Sequence, residues 1–186
     1  MLILASQSPR RREILSNAGI PCEVRPAHVD ERHVPGESAE EYVKRLAREK
    51  AEAAPESKAV VLGADTVVVV DDTILGKPVD AEDARRMLRL LSGREHRVLT
   101  GICLRRGGRT IVEVEATRVH FVALSEAEIG DYAASGEPMD KAGAYAIQGI
   151  ASKFIDRIDG CYFNVVGLPV ALVYKKLKQL CSESPS

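Results

Sequence analysis

Val60-Val61-Leu62-Gly63-Ala64-Asp65-Thr66-Val67-Val68-Val69-Val70 is the stretch on which the reading of the chain turns. β-Branched residues dominate both halves, so each half reads as buried strand. Between them stands one acid, Asp65, beside a threonine and close to a glycine. A carboxylate at the end of a buried strand costs free energy unless a cation or a donor meets it. The segment alone allows two readings: a turn acid between two strands, or a group that a site exists to use.

Upstream, Leu2-Ile3-Leu4-Ala5 reads as a short buried strand and Ser6-Gln7-Ser8 as a polar turn. Ser8 followed by Pro9 predicts an N-cap with proline at the first helical position, and Gly19 ends that helix. Arg11 falls on the same face as Ile14, Leu15 and Ala18. A phosphate at this helix end would meet free backbone N–H groups, the positive end of the dipole, the hydroxyls of Ser6 and Ser8, and one or two arginines. A solvated basic first turn is the alternative.

Cys22 to Arg25 reads as a second strand, leading into His28-Val29-Asp30-Glu31-Arg32-His33. Adjacent carboxylates on an extended chain cannot both face one point, so either Asp30 or Glu31 can reach a site. The histidines read as surface residues. Ser38 with Glu41 is a capping box. The helix behind it lines up Ala39, Tyr42, Val43, Leu46, Ala47, Ala51 and Ala54, and Lys50 falls inside that apolar stripe. Lys50 either snorkels out to water or points into a cleft that holds anions.

Downstream, Asp71-Asp72 predicts a hairpin turn into Thr73-Ile74-Leu75, and Pro78 presents Lys77 on a stiff turn. Asp80 and Asp83 open a helix with Ala84, Met87, Leu88 and Leu91 inward, ended by Gly93. Glu95 to Phe121 reads as two strands around Gly107-Gly108. Ser125 with Glu128 opens another helix. In Pro138 to Gly149 the amide of Gln148 lies among apolar neighbours, which predicts a buried, paired side chain. Such an amide donates and accepts at once, as reading a nucleobase edge requires; a structural glutamine is the alternative. Ile155 to Ile158 reads as strand. Asn164 is expected to cap a last helix, Val165 to about Leu180, kinked near Gly167-Leu168-Pro169. The tail 182–186 is expected to fray.

With 186 residues the chain is expected to be one domain, 1–186, or a tightly joined two-lobed unit. A hydrophobic content of 45% and a charged content of 28% can build a sizeable core. The net charge of −1 gives no basic field to gather nucleic acid. No apolar run reaches membrane-spanning length, and the start does not read as a signal peptide. Cys22, Cys103, Cys161 and Cys181 form no Cys-x-x-Cys pair, so they read as reduced and structural, and the compartment as cytoplasmic.

The polar residues make one set. Arg11, Lys50 and Lys77 are cationic, Ser6, Ser8 and Thr66 offer hydroxyls, and Asp65 with Glu31 or Asp30 is anionic. Cations plus a few carboxylates suit a polyphosphate bound with a divalent metal, Mg²⁺ or Mn²⁺. The residues themselves carry the reading as far as an enzyme acting on a phosphate-rich ligand.

Several motifs in order also carry a resemblance over about residues 2 to 180. They are Ala5-Ser6-Gln7-Ser8-Pro9-Arg10-Arg11, Glu31, Arg48-Glu49-Lys50, Gly63-Ala64-Asp65-Thr66, Gly76-Lys77-Pro78, Leu91-Ser92-Gly93 with His96, Val98 and Thr100, Asp140-Lys141-Ala142-Gly143-Ala144-Tyr145, and Val165-Val166-Gly167-Leu168-Pro169. In these the sequence resembles the Maf family of nucleotide pyrophosphatases, relatives of the inosine triphosphate pyrophosphatases. One departure is Ala146, where the family usually has glycine.

The resemblance implies hydrolysis of a nucleoside triphosphate to the monophosphate and pyrophosphate, in a role of nucleotide-pool cleansing or septum formation and division arrest. It implies an α/β fold, a mixed twisted sheet with flanking helices and two lobes around a cleft, and often a homodimer. It makes Asp65 the general base, Glu31 and Asp65 the metal carboxylates, and Lys50 and Lys77 catalytic cations. Ser6, Ser8 and Arg11 then bind the triphosphate. Arg10, Thr66 and Gln148 match the specificity positions of the subgroup acting on dTTP and UTP rather than on 7-methyl-GTP. Two other readings are a nucleotidyltransferase, which the strand, loop and arginines at Leu4 to Arg11 loosely suggest, and a non-catalytic division regulator. The second leaves Lys50 on its apolar face unexplained.

Overall fold

The computed structural model describes residues 1–54 and 59–182. Seven strands, β1 (Leu2–Leu4), β2 (Cys22–Val24), β3 (Val60–Val70), β4 (Thr73–Leu75), β5 (Glu95–Arg106), β6 (Arg109–Phe121) and β7 (Ile155–Asp159), form a mixed sheet. Its order is β2-β1-β3-β5-β6-β7, with β4 on β3. β1 runs parallel to both β2 and β3, whereas β3–β4 and β6–β7 are antiparallel. Around it lie α1 (Pro9–Asn17), α2 (Ala39–Ala53), α3 (Ala81–Leu91), α4 (Glu126–Ala134), α5 (Tyr162–Val166) and α6 (Val170–Ser182). The expected mixed α/β architecture is therefore present. Among the described residues no helix is long and apolar enough to cross a membrane.

The opening stretch is one strand, not two around a turn acid. β3 runs unbroken for 11 residues with Asp65 inside it. No turn is needed because the carboxylate finds cationic partners within the strand's own surroundings.

The chain divides into two compact units. The first comprises the described residues of Met1–Thr66, Thr100–Glu115 and Gly167–Ser186. Its apolar core gathers Ile3, Ala5, Ala47, Ala51, Val61 and Cys103. Cys103 is fully buried, and burial pushes its thiol up to about 11, which suits a structural, unreactive cysteine. The small residues let α2 lie directly on the sheet. A Cβ on Gly63 would stand 2.1 Å from the Ala47 carbonyl oxygen, and one on Gly101 2.2 Å from that of Val43. The capping box expected at Ser38 and Glu41 starts this helix. Ser8 occupies the N-cap position of α1, but its side chain makes no capping bond.

The second unit comprises Val67–Leu99 and Ala116–Val166. The predicted inward face of α3, Ala84, Met87, Leu88 and Leu91, is buried there with Phe121, Tyr132, Tyr145 and Phe154. Ser125 and Glu128 form the second capping box. In the first unit, the β5–β6 hairpin turns at Gly107 and Gly108, both at positive φ, the pattern a two-residue turn requires.

The last helix differs from its expectation. Asn164 does not cap it; it lies inside the short α5, fully buried, donating to the Val98 carbonyl and the Thr117 hydroxyl at 3.0 Å each. Gly167 at φ 129 breaks the chain before α6 starts, a conformation that excludes a continuous kinked helix. Ser182 closes α6, and residues 183–186 of the expected frayed tail lie outside the described residues.

His96 is buried in the second unit, 2.9 Å from the Tyr145 hydroxyl and edge-on to Phe121 and Tyr145. Desolvation lowers its pKa from 6.5 to about 4. A depressed folded-state pKa gives stability that is present above the unfolded value and is lost as pH falls through the folded one. Thermal unfolding followed from pH 7 to about pH 4 should show a loss of about 3 kcal/mol from this residue. In His96→Gln that part of the acid slope should vanish; an unchanged slope would assign it elsewhere.

Candidate active site

Lys50 stands on the sheet-facing side of α2, as the stripe predicted, and is 8% exposed. Its position follows from the glycine contact. Residues 63 and 65 share one face of β3, and Ala47 sits over Gly63. Three helix residues onward advance about 4.5 Å and two strand residues about 6.6 Å, so Lys50 comes level with Asp65. The ammonium lies 2.6 Å from Asp65 Oδ1 and 2.8 Å from Glu31 Oε1. Two carboxylates thus converge on one nitrogen.

Asp65 is itself only 8% exposed. Burial pushes its carboxyl above the usual carboxylate range, against the pull of Lys50 and Arg11, while Glu31 adds to the rise. Glu31 is exposed, but Tyr42 donates to its backbone carbonyl at 2.7 Å. Burial with the charges of Asp65 and Glu31 pushes the Tyr42 phenol up to about 12, so the hydroxyl keeps its proton.

The choice between Asp30 and Glu31 is resolved by their neighbours. Arg32 grips Asp30 through its backbone N–H and its guanidinium, at 3.0 and 2.8 Å, and holds that carboxyl down at about 2. Adjacent side chains diverge, so Glu31 is the one that reaches Lys50. The histidines sit aside as expected: His28 meets Gln7 and His33 the Glu37 carbonyl.

Arg11 is buried, and its bonds are internal. Nε donates to the Gly167 carbonyl at 2.8 Å, Nη1 to the Ala64 carbonyl at 2.8 Å and the Ser6 hydroxyl at 3.0 Å, and Nη2 to the Thr66 hydroxyl at 3.0 Å. Four of its five N–H groups are thus directed at protein oxygens. The guanidinium is a strut that fixes Ser6 and Thr66, offering a phosphate its charge and little else. Ser6 Oγ also accepts the Ser8 backbone N–H at 3.2 Å, closing the Ser6–Ser8 turn. Thr66 Oγ1 pairs with Thr100 Oγ1 at 2.9 Å. Arg10, on the same turn, is partly buried.

Lys77 and Gln148 belong to the second unit. Lys77 is exposed on the turn after β4. That turn is tied by Gly143 N–H donating to the Gly76 carbonyl at 3.0 Å, and Gly143, at φ 67, has no room for a side chain against Val68. Gln148 is exposed, not buried as expected. The chain leaves the core after Tyr145 and turns at residues 147–148, so its amide faces water.

Three residues, Tyr42, Arg45 and Thr100, contribute in a way the sequence reading did not assign. Tyr42 and Arg45 rise from α2 to hold the loop that carries Glu31, Arg45 donating to the Arg32 carbonyl at 3.1 Å and pairing with Glu37 at 2.7 Å. Tyr42 and Arg45, three residues apart, share one side of the helix. Thr100, fully buried, is the hydroxyl partner of Thr66; a lone threonine in a strand carries no signal of that kind.

A divalent metal fits this arrangement. Among the described residues no three His, Cys, Asp or Glu side chains form a cage. Glu31 and Asp65 nonetheless converge on the Lys50 ammonium, and an ion such as Mg²⁺ is ordinarily held by one or two carboxylates with water and substrate phosphates completing its shell.

The family described as Maf-like protein matches residues 1–180. A dTTP/UTP pyrophosphatase of Anaeromyxobacter dehalogenans (strain 2CP-C) is 57% identical over 174 residues, 91% of this chain and 89% of that protein. One of Koribacter versatilis (strain Ellin345) is 53% identical over 180 residues, 96% and 93% of the two chains. Among solved structures, a HAM1 protein from Coxiella burnetii aligns at 14% identity and a TM-score of 0.45 over 64% of this chain and 72% of that one.

Proposed function

This chain belongs to the Maf-like protein family, and from that premise we propose that it hydrolyses dTTP and UTP to their monophosphates and pyrophosphate. The observation that carries the chemistry is the convergence of Asp65 and Glu31 on Lys50, 2.6 and 2.8 Å away. The substrate class follows from relatives at 57% and 53% identity that are named dTTP/UTP pyrophosphatases.

Asp65 takes a proton from a water, which attacks the α-phosphorus. The bond from that phosphorus to the β-phosphate oxygen breaks, and pyrophosphate leaves. The raised pKa of Asp65 makes it a stronger base than an ordinary aspartate. Lys50, Lys77 and the Ser6–Ser8 turn neutralise charge on the phosphates. Arg11 serves them by fixing Ser6 and Thr66. Glu31 and Asp65 would hold a divalent metal, which would supply positive charge to the phosphate oxygens. Arg10, Thr66 and Gln148 are assigned to base selection, matching the residues of the dTTP/UTP subgroup. A cytoplasmic setting and a homodimer are the accompanying expectations.

One panel tests this reading: pyrophosphate release from canonical and modified triphosphates, with Mg²⁺, with Mn²⁺ and with neither. Release from dTTP and UTP with water alone as acceptor, dependent on the metal, is expected. A preference for 7-methyl-GTP would overturn the substrate assignment. A need for a second substrate would make the protein a nucleotidyltransferase.

A further inference from the structure

The loop that carries Gln148 is shaped by two side chains with no assigned role. Glu137 is partly buried and Tyr132 fully so. Tyr132 donates its hydroxyl to Glu137 Oε1 at 2.8 Å and accepts the Ala146 backbone N–H at 3.3 Å. The Glu137 carboxylate accepts the Ile150 backbone N–H, at 3.0 and 3.1 Å to its two oxygens. Gly149 N–H closes the turn onto the Ala146 carbonyl at 3.1 Å. Both ends of residues 146–150 are therefore tied, and Gln148 stands exposed between the ties.

The fit is built for a carboxylate. A Cβ on Gly149 would lie 2.4 Å from both Glu137 oxygens, so a side chain there would push the carboxylate off the Ile150 N–H. The arrangement holds a polar pair against an exposed turn, where an apolar contact would have served packing alone.

We infer that Glu137, with Tyr132 as its relay, is a positioning residue for base selection: it sets the turn that presents the Gln148 amide to the pyrimidine. This rests on the reading of Gln148 as the base reader. A uracil or thymine edge presents acceptor, donor, acceptor, and cytosine presents a donor where uracil has its 4-oxygen. Discrimination between UTP and CTP therefore reports the placement of the amide.

The test compares kcat and KM for UTP and CTP in Glu137→Ala, Glu137→Gln, Gln148→Ala and the Glu137→Ala/Gln148→Ala double variant. Glu137→Ala should lose about tenfold of the UTP preference, the scale of one hydrogen bond, mainly through a higher KM for UTP. Glu137→Gln keeps an oxygen for the Ile150 N–H and should recover most of it. The double variant should lose no more than Gln148→Ala. If Glu137→Ala does not fold, Tyr132→Phe, which removes only the bridging hydroxyl, carries the same expectation. A Glu137→Ala protein that slows on UTP and CTP alike, preference intact, overturns the inference while Gln148→Ala still loses preference. If Gln148→Ala itself keeps the preference, the reading of Gln148 fails and the inference with it.

Discussion

Replacing Asp65 by asparagine is expected to lower pyrophosphate release from dTTP and UTP at least about a hundredfold, the scale of a lost general base, while the protein stays folded. The amide keeps the shape of the side chain but cannot take a proton. The fold should tolerate it because burial already disfavours the charged carboxyl, as its raised pKa records. Lys50 also retains Glu31 at 2.8 Å, so its ammonium is not stranded. Near-normal release by a purified Asp65→Asn protein with an unchanged melting temperature would remove Asp65 from the chemistry.

The pH profile supplies a second check on the same residue. The acid limb of kcat/KM should lie above 3.8, the ordinary aspartate value. Lys50 lowers the Asp65 pKa and Glu31 raises it. Lys50→Met should therefore move the acid limb to higher pH, and Glu31→Gln should move it lower. Both variants lose turnover, so the position of the limb is the readout. Shifts of the same sign in both would mean that the limb belongs to another group.

The largest stability effect is expected from Gly63→Ala. A methyl group there meets the Ala47 carbonyl at 2.1 Å and the Ala51 nitrogen at 2.7 Å, both backbone atoms of α2. Backbone cannot step aside as a side chain can, so overpacking should cost about 3 kcal/mol or more. Denaturant unfolding measures that cost. Whatever fraction still folds must lift α2 from the strand and carry Lys50 away from Asp65, so turnover per folded molecule should fall too. A Gly63→Ala protein of normal stability would show that the helix does not bear on the strand at this point.

Sequence periodicity exposed Lys50 because a charge inside an apolar stripe breaks a regular pattern, and the structure places it where that pattern led. The capping boxes were equally legible, since both partners lie three residues apart and need nothing distant. Asp65 was visible as an oddity, but its partners lie 15 and 34 residues away, beyond any local signal. Arg11 shows the limit from the other side. Its inward position was readable from helix spacing, yet its bonds run to Ala64 and Gly167, which no local pattern joins to it. Gln148 was misplaced because apolar neighbours in sequence, Ile147 and Ile150, do not imply burial where the chain turns outward.

Tyr42, Arg45 and Lys50 all rise from α2, the first two to the Glu31 loop and the third to both carboxylates. The separation of Glu31 from Asp65 is therefore set by the pitch of one rod, not by the conformation of the loop. The loop has to offer the Glu31 carboxylate and its carbonyls at the right height. The rod is under a constraint of its own: inserting or deleting a residue between Tyr42 and Lys50 would rotate the two anchor points by about 100° relative to each other, and no adjustment in the loop could bring the carboxylates back into register.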